Sequence, residues 1–185
     1  MKKIRCGWCE KDDLYRKYHD EEWGRPVYDD DTIFEFLILE SFQAGLSWYT
    51  ILSKRENFRK AFDHFDYKKI ALYTEEKIEE LMNDPGIIKN RLKINATVTN
   101  AQRFHEIQKE FGSFSKYIWG FVGGKPLDNR PKVLSDVPAV TEISDALSKD
   151  LKKRGFKFMG STVVYAHMQA TGMVNDHIES CFIRD

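Results

Sequence analysis

The 185-residue chain has little cysteine (three), little proline (five) and little glycine (11), carries no net charge and contains no long apolar run. An odd number of cysteines, behind a Met-Lys-Lys-Ile-Arg-Cys-Gly opening with no apolar signal core, argues against a secreted disulfide framework. The thiols are therefore expected to be free or metal-bound, in a cytoplasmic protein. Scarce Gly and Pro, with 42% hydrophobic and 31% charged residues, exclude collagen-like, disordered and low-complexity classes. The apolar run Phe36–Leu39 falls far short of the roughly 20 residues a bilayer demands, so no membrane partner is expected. Lys+Arg and Asp+Glu are equal at 29 each, so the overall basic footprint usual for nucleic-acid binding is missing.

What is present is a chain long enough to bury about 70% of its unfolded surface, which one domain over 1–185 accommodates without disulfides. Its charge is polarised. Residues 1–40 hold 7 Lys/Arg against 11 Asp/Glu, leaving an excess of cations in the remainder. Two basic clusters stand out, Lys89/Arg91/Lys93 and Lys149/Lys152/Lys153/Arg154/Lys157, each either a phosphate-neutralising surface or a solvated helix face.

Periodicity is helical almost throughout, with no sustained strand alternation, and predicts an all-α fold in which two helical lobes are possible. A Thr32/Glu35 capping box opens a helix carrying Ile33, Phe36 and Leu37. Another helix is expected from Ser47 through Phe62, and a third from Thr74 to Asp84-Pro85-Gly86. A long one runs to Gly112, the next ends at Gly123-Gly124, a helix capped near Ser144 ends at Gly155, and Gly160 opens the last. Lys125–Val140, with Pro126, Pro131 and Pro138, is expected to be the weakest-structured stretch.

Three constellations carry possible chemistry. Cys6 and His19 near one end, and His177-x3-Cys181 on one expected helix face near the other, make a two-thiolate, two-imidazole set suited to a closed tetrahedral zinc site. Such an ion would be structural and would fasten the two ends together. Against it stand two alternatives: cysteines that are small buried hydrophobes, and Cys9 as a competing ligand through Cys6-x-x-Cys9. The second constellation gathers Trp8, Tyr15, Tyr18, Trp23 and Trp48 around Glu40, which interrupts an apolar stretch. Glu40 either lies on a solvent face or pairs with a cation; in a pocket, aromatic faces and one carboxylate would receive a flat cationic ligand. The third, Asp84-Pro85-Gly86-Ile87-Ile88-Lys89-Asn90-Arg91, has the make-up of a helix-hairpin-helix phosphate site but carries Ile88 where a second glycine is expected, and a plain turn is the other reading.

The runs Cys6-Gly7-Trp8, Tyr18-His19-Asp20-Glu21-Glu22-Trp23-Gly24, Gln43-Ala44-Gly45-Leu46-Ser47-Trp48, Lys54-Arg55-Glu56-Asn57, Arg154-Gly155-Phe156-Lys157-Phe158 and Val174-Asn175-Asp176-His177 together resemble the Tag family of DNA-3-methyladenine glycosylases over nearly the whole chain. The resemblance implies an all-helical helix-hairpin-helix glycosylase fold, with zinc held by Cys6, His19, His177 and Cys181. It implies that Glu40 engages the extruded base in a pocket shaped by Trp8, Tyr15, Tyr18, Trp23 and Trp48. By the same mapping Gly45 and Leu46 form a wedge into the duplex; the basic hairpin cluster adds Lys89 and Arg91 as expected DNA contacts. Alkylated double-stranded DNA would be the substrate and free 3-methyladenine the product of a monomeric enzyme. The region after the hairpin, Lys93 to Phe111, contains no Asp, and no desolvated lysine is expected at the hairpin, so a monofunctional hydrolase without strand cleavage is predicted.

Overall fold

The computed structural model describes residues 3–184; Met1 and Lys2 of the basic opening stretch, and Asp185, lie outside the described residues. Helices begin where a side chain can take up free amides. Asp12 caps α1 (Asp13–Glu21) and Asp29 caps α2 (Asp30–Gln43), accepting from the N–H groups of Tyr15 and Thr32. The expected Thr32/Glu35 box is therefore not the start of α2. Glu35 is turned inward instead, where Arg55 and Arg59 take its carboxylate.

Ser47 caps α3 (Trp48–Ser53) as expected, but the helix does not continue to Phe62. Lys54, at φ −102° and ψ 0°, closes a turn and α4 (Arg55–Ala61) sets off anew, which lets Arg55 reach both Glu22 and Glu35. Short α5 (Tyr67–Ile70) precedes α6 (Glu75–Asn83). The Asp84–Asn90 turn leads into α7 (Arg91–Phe111), capped by Asn90 and stopped by Gly112 at φ +86°. After α8 (Phe114–Gly120) comes β1 (Leu127–Asp128). Then follow α9 (Glu142–Lys153), begun by a reciprocal Thr141/Ser144 box, α10 (Ser161–Ala170) and β2 (Val174–Asn175).

The architecture is thus helical, with one departure from the all-α expectation. β1 and β2 pair in parallel, Leu127 opposite Val174. That pairing gives Lys125–Val140 more structure than its prolines suggest. Asp136 accepts from the amides of Lys132 and Val133, and the Pro131 carbonyl accepts from Glu179 N–H at 2.8 Å.

Helix α2 is the axis of the fold. Every residue from Ile33 to Phe42 is buried, because α10, α7, α3 and α8 cover it from different sides. Aromatic contacts lock these layers, with Phe34 against Phe104 at 5.0 Å, Phe104 on Phe114 at 4.1 Å and Phe42 against Phe58 at 4.9 Å. A helix surrounded in this way has no solvent face near its C-terminal end, so the solvent-face reading of Glu40 fails.

Candidate functional site

The six residues expected to form a base pocket do line one cavity. Trp8, Tyr15, Tyr18, Trp23, Glu40 and Trp48 surround a space of about 370 Å³, within the roughly 300–1,000 Å³ of small-ligand sites. Trp8 comes from the turn before α1, Tyr15 and Tyr18 from α1, Trp23 from just beyond it, and Trp48 from the first turn of α3. Trp8 anchors the wall, edge-on to Tyr15 at 4.9 Å and to Trp23 at 5.1 Å. Trp48 lies against Tyr18 at 5.4 Å.

Glu40 is the acidic group of the wall. It is 3% exposed, and its Oε2 has no hydrogen-bond partner among the described residues. Burial without compensation pushes its pKa up to about 8. The Trp48 indole N–H, also buried, is likewise unpartnered. Burial raises the Tyr18 hydroxyl well above its usual range, with the Glu40 charge adding to the shift, so that ring stays neutral. One carboxyl oxygen and one indole N–H, both buried and unpartnered, therefore belong to residues that line an aromatic cavity, an arrangement that suits a polar, flat ligand.

Behind that wall lies the thiol–imidazole quartet. Donor atoms of Cys6, His19, His177 and Cys181 all fall within 4.8 Å of one another, and all four residues are buried. Cys6 Sγ is 3.6 Å from His177 Nδ1, and Cys181 Sγ is 3.5 Å from both His177 Nδ1 and His19 Nε2. The outward ring nitrogens are engaged. His19 Nδ1 meets Asp20, which Arg5 grips in turn, and His177 Nε2 is 3.1 Å from the Trp23 carbonyl. This fixes which nitrogen of each ring points at the centre. Burial lowers the pKa of both imidazoles, that of His177 to about 4, and so keeps them in the neutral form a metal requires. Cys9 does not compete, since its thiol is turned to the Cys6 carbonyl.

One detail differs from expectation. His177 and Cys181 share a turn closed by Cys181 N–H donating to the Ile178 carbonyl, not a helix face; the pairing of β2 holds the chain extended up to this point. The quartet also buttresses the cavity directly. Trp8 packs edge-on to His19 at 5.4 Å, Trp23 to His177 at 4.7 Å. Gly24, at φ +74°, leaves room for that contact, because a Cβ there would lie 3.0 Å from His177 Nε2.

Gly45 and Leu46 lie beside Glu40, whereas the residues of the turn between α6 and α7 line neither the cavity nor the hollow next to it. Gly45 has φ +81°, a conformation that favours glycine, and Leu46 beside it is 40% exposed. Both line a second, smaller hollow that shares Glu40 with the first. Lys89 is exposed on the turn between α6 and α7, whereas the Arg91 guanidinium is shared between Glu75 and Glu79. Lys93 overturns two expectations, since it belongs to no surface cluster and is a desolvated lysine at the hairpin. It is 6% exposed, and its Nζ donates to the carbonyls of Phe42 and Ala44 at 2.8 Å each, at the negative end of α2. Burial lowers its pKa. Of the second cluster, Lys149, Lys152, Lys153 and Lys157 are exposed while Arg154 pairs with Asp150 and Glu110.

Sequence reasoning missed the far wall of the cavity, formed by Leu134 and Val137 from the proline-containing stretch and by Gln43, Ala166 and Gln169. Gln169 carried no signal in the chain; what marks it is the tertiary contact of its amide N–H with the Asp176 carboxylate.

Comparison with known proteins agrees with this geometry. The profile of the methyladenine glycosylase family matches residues 8–184. The chain is 49% identical over 177 residues to DNA-3-methyladenine glycosylase 1 of Escherichia coli (strain K12), covering 96% of this chain and 95% of that protein. It superposes with a TM-score of 0.94 on a crystal structure of 3-methyladenine DNA glycosylase I at 48% identity, covering 97% of this chain and 98% of the other. A structure of 3-methyladenine DNA glycosylase I from Staphylococcus aureus, which describes 3-methyladenine recognition, matches with a TM-score of 0.95 at 41% identity over 98% of this chain and 96% of that one. The chain belongs to the methyladenine glycosylase family.

Proposed function

We propose that this protein flips 3-methyladenine out of alkylated DNA into the Trp8–Trp48 cavity and hydrolyses its N-glycosidic bond, with Glu40 as the group that meets the cationic base. The observation that carries the reading is the buried, unpartnered Glu40 Oε2 in an aromatic cavity. Methylation at N3 makes the purine a cation and weakens its bond to C1′. As that bond breaks, its electron pair goes to N9 and the base leaves neutral. Water adds to C1′ of the sugar cation and gives up a proton, leaving an abasic site. With so good a leaving group, the protein's task is to extrude, select and hold the nucleotide. Flipping costs a few kcal/mol, least for a damaged base. The cavity offsets that cost through stacking and cation–π attraction, and a desolvated carboxylate favours the charged lesion over neutral adenine.

The Gly45–Leu46 turn is the element that fills the vacated stack, and Lys93 holds its base against the end of α2. With its ammonium committed to two carbonyls and at no point lining the cavity, Lys93 is not placed for a Schiff base, which supports a hydrolase without strand cleavage. Lys89 and Arg91 approach phosphates from the hairpin. Arg91's exposed ion pairs are weak enough to be exchanged for them.

The quartet is read as a structural zinc site. Zn–S near 2.3 Å and Zn–N near 2.0–2.1 Å in a regular tetrahedron require sulfur–nitrogen edges of about 3.6 Å. Three of the four sulfur–nitrogen edges here are 3.5–3.6 Å, all four donor atoms lie within 4.8 Å of one another, and the donors are the two thiols and two imidazoles zinc prefers. Four protein ligands leave no open position, so the ion's contribution is to hold Trp8 and Trp23 in place. The test is to incubate the protein with methylated duplex DNA and quantify free 3-methyladenine together with strand breaks. Base release without nicking is expected; nicking in step with release would overturn the hydrolase reading, and no release from folded protein would overturn the function.

A further inference from the structure

The cavity that Glu40 lines has a fixed hydrogen-bond polarity at Gln169, and a chain of polar groups sets it. Asp176, 1% exposed, receives three donors: Tyr165 O–H at 2.7 Å, Asn129 Nδ2 at 2.7 Å and Gln169 Nε2 at 2.8 Å. A carboxylate surrounded by donors can only accept, so the Gln169 amide is oriented with its NH₂ toward Asp176. Its Oε1, the other end of that planar group, has no protein partner among the described residues, and Gln169 lines the cavity. An amide that could otherwise turn either edge to a ligand is held as an acceptor.

We propose that Gln169, oriented by Asp176, is a specificity-determining residue that selects purines bearing an amino group at position 6 over those bearing a carbonyl there. The proposal rests on the base-pocket reading above and deepens it. Adenine presents N6–H₂ donors where guanine presents the O6 acceptor. With Glu40 and Gln169 both lining the cavity, an amino group brings two protons to two acceptors, whereas a carbonyl sets its lone pairs against them. The two acceptors are not equivalent. A carboxyl can take up a proton and become a donor, so Glu40 alone would not reject O6. Gln169 has no such freedom while Asp176 holds its NH₂. The charge of the lesion is thus met by Glu40 and the identity of the base by Gln169. An acceptor that the bound base covers and leaves unsatisfied accounts for discrimination of about tenfold or more from this one contact.

The experiment measures release of 3-methyladenine and 3-methylguanine from the same methylated duplex DNA by wild type, Gln169→Met and Asp176→Asn, with metal content and thermal unfolding recorded for each. Gln169→Met is expected to lower kcat/KM for 3-methyladenine about tenfold while 3-methylguanine release is unchanged or increased. Asp176→Asn is expected to shift the ratio in the same direction by less, because it frees the amide to turn. An equal loss for both bases, or an unchanged ratio in both folded variants, would overturn the assignment. Should Gln169→Met fail to fold, an unchanged ratio in Asp176→Asn overturns it alone. Failure of wild type to release 3-methyladenine is a separate result, which sinks the pocket reading itself.

Discussion

Two buried polar clusters lie back to back in this molecule and differ in how their atoms are satisfied. In the Cys6–His19–His177–Cys181 quartet, each outward imidazole nitrogen is engaged, by Asp20 for one ring and by the Trp23 carbonyl for the other. Across the shared wall of Trp8 and Trp23, Glu40 Oε2 and Trp48 Nε1 have no partner among the described residues. Both clusters are buried, so burial alone does not separate structure from function. Unsatisfied atoms beside a cavity do: converging donors with engaged outer atoms make a fastening, and buried atoms left open on a cavity wall make a binding site, whereas the buried His167 ring, unpartnered among the described residues, lines neither hollow.

Breaking the fastening has the largest expected effect. Cys181→Ser, or stripping the metal with a chelator, should abolish stoichiometric metal binding and lower Tm by about 10 °C or more, since a structural metal contributes several kcal/mol and each kcal/mol moves Tm by roughly 2–4 °C in a chain this size. Calorimetry with metal analysis checks this, and an unchanged Tm in the metal-free protein would show that the ends are held by other contacts. Glu40→Gln comes next and should act the opposite way on stability. Its excision rate is expected to fall about a hundredfold with no loss of Tm. Burial raises the Glu40 pKa from 4.5 to about 8, so its contribution to stability is greatest below about pH 4.5 and declines up to about pH 8. The glutamine variant lacks that decline, and its Tm should gain on wild type steadily across this interval.

Lys93→Met sharpens the comparison at the edge of the pocket. It leaves the carbonyls of Phe42 and Ala44 without their donor, a cost of about 1–3 kcal/mol, and loosens the Gly45–Leu46 turn. Base release from duplex DNA should drop about tenfold while binding of free 3-methyladenine, followed by tryptophan fluorescence, stays within twofold. The smallest effects belong to the hairpin surface. Lys89→Ala should reduce the slope of log affinity against log salt by about one, and Arg91→Ala by less, because Arg91 is already shared with Glu75 and Glu79. Binding titrations at several salt concentrations distinguish the two.

Much of this was legible in the chain, for identifiable reasons. Helix ends at Ser47, Gly112 and Gly155 follow local rules of capping and left-handed backbone, and local rules survive folding. The aromatic wall was legible because Trp8, Trp23 and Trp48 are rare residues crowded into one end of the chain. The quartet was legible by residue type, although the turn carrying His177 and Cys181 was not, since β2 decides its shape through a partner almost 50 residues away. Lys93 looked like one of three clustered cations until the end of α2 was seen packed over it, and Gln169 was invisible until Asp176 fixed its amide. Leu134 and Val137 were lost among prolines that predicted a loose connection. In each case the missed residue owes its role to a tertiary neighbour that no local pattern encodes.

The most direct test of the central claim, that an open buried carboxylate makes this cavity a site for a cationic base, is single-turnover release of 3-methyladenine from methylated duplex DNA between pH 6 and pH 9, comparing wild type with folded, metal-loaded Glu40→Gln. The account predicts that the wild-type rate rises with pH, reaches half its maximum near 8 as Glu40 loses its proton and levels only above that, while the glutamine variant is slow and flat. Equal rates and superimposable profiles for the two proteins would contradict it.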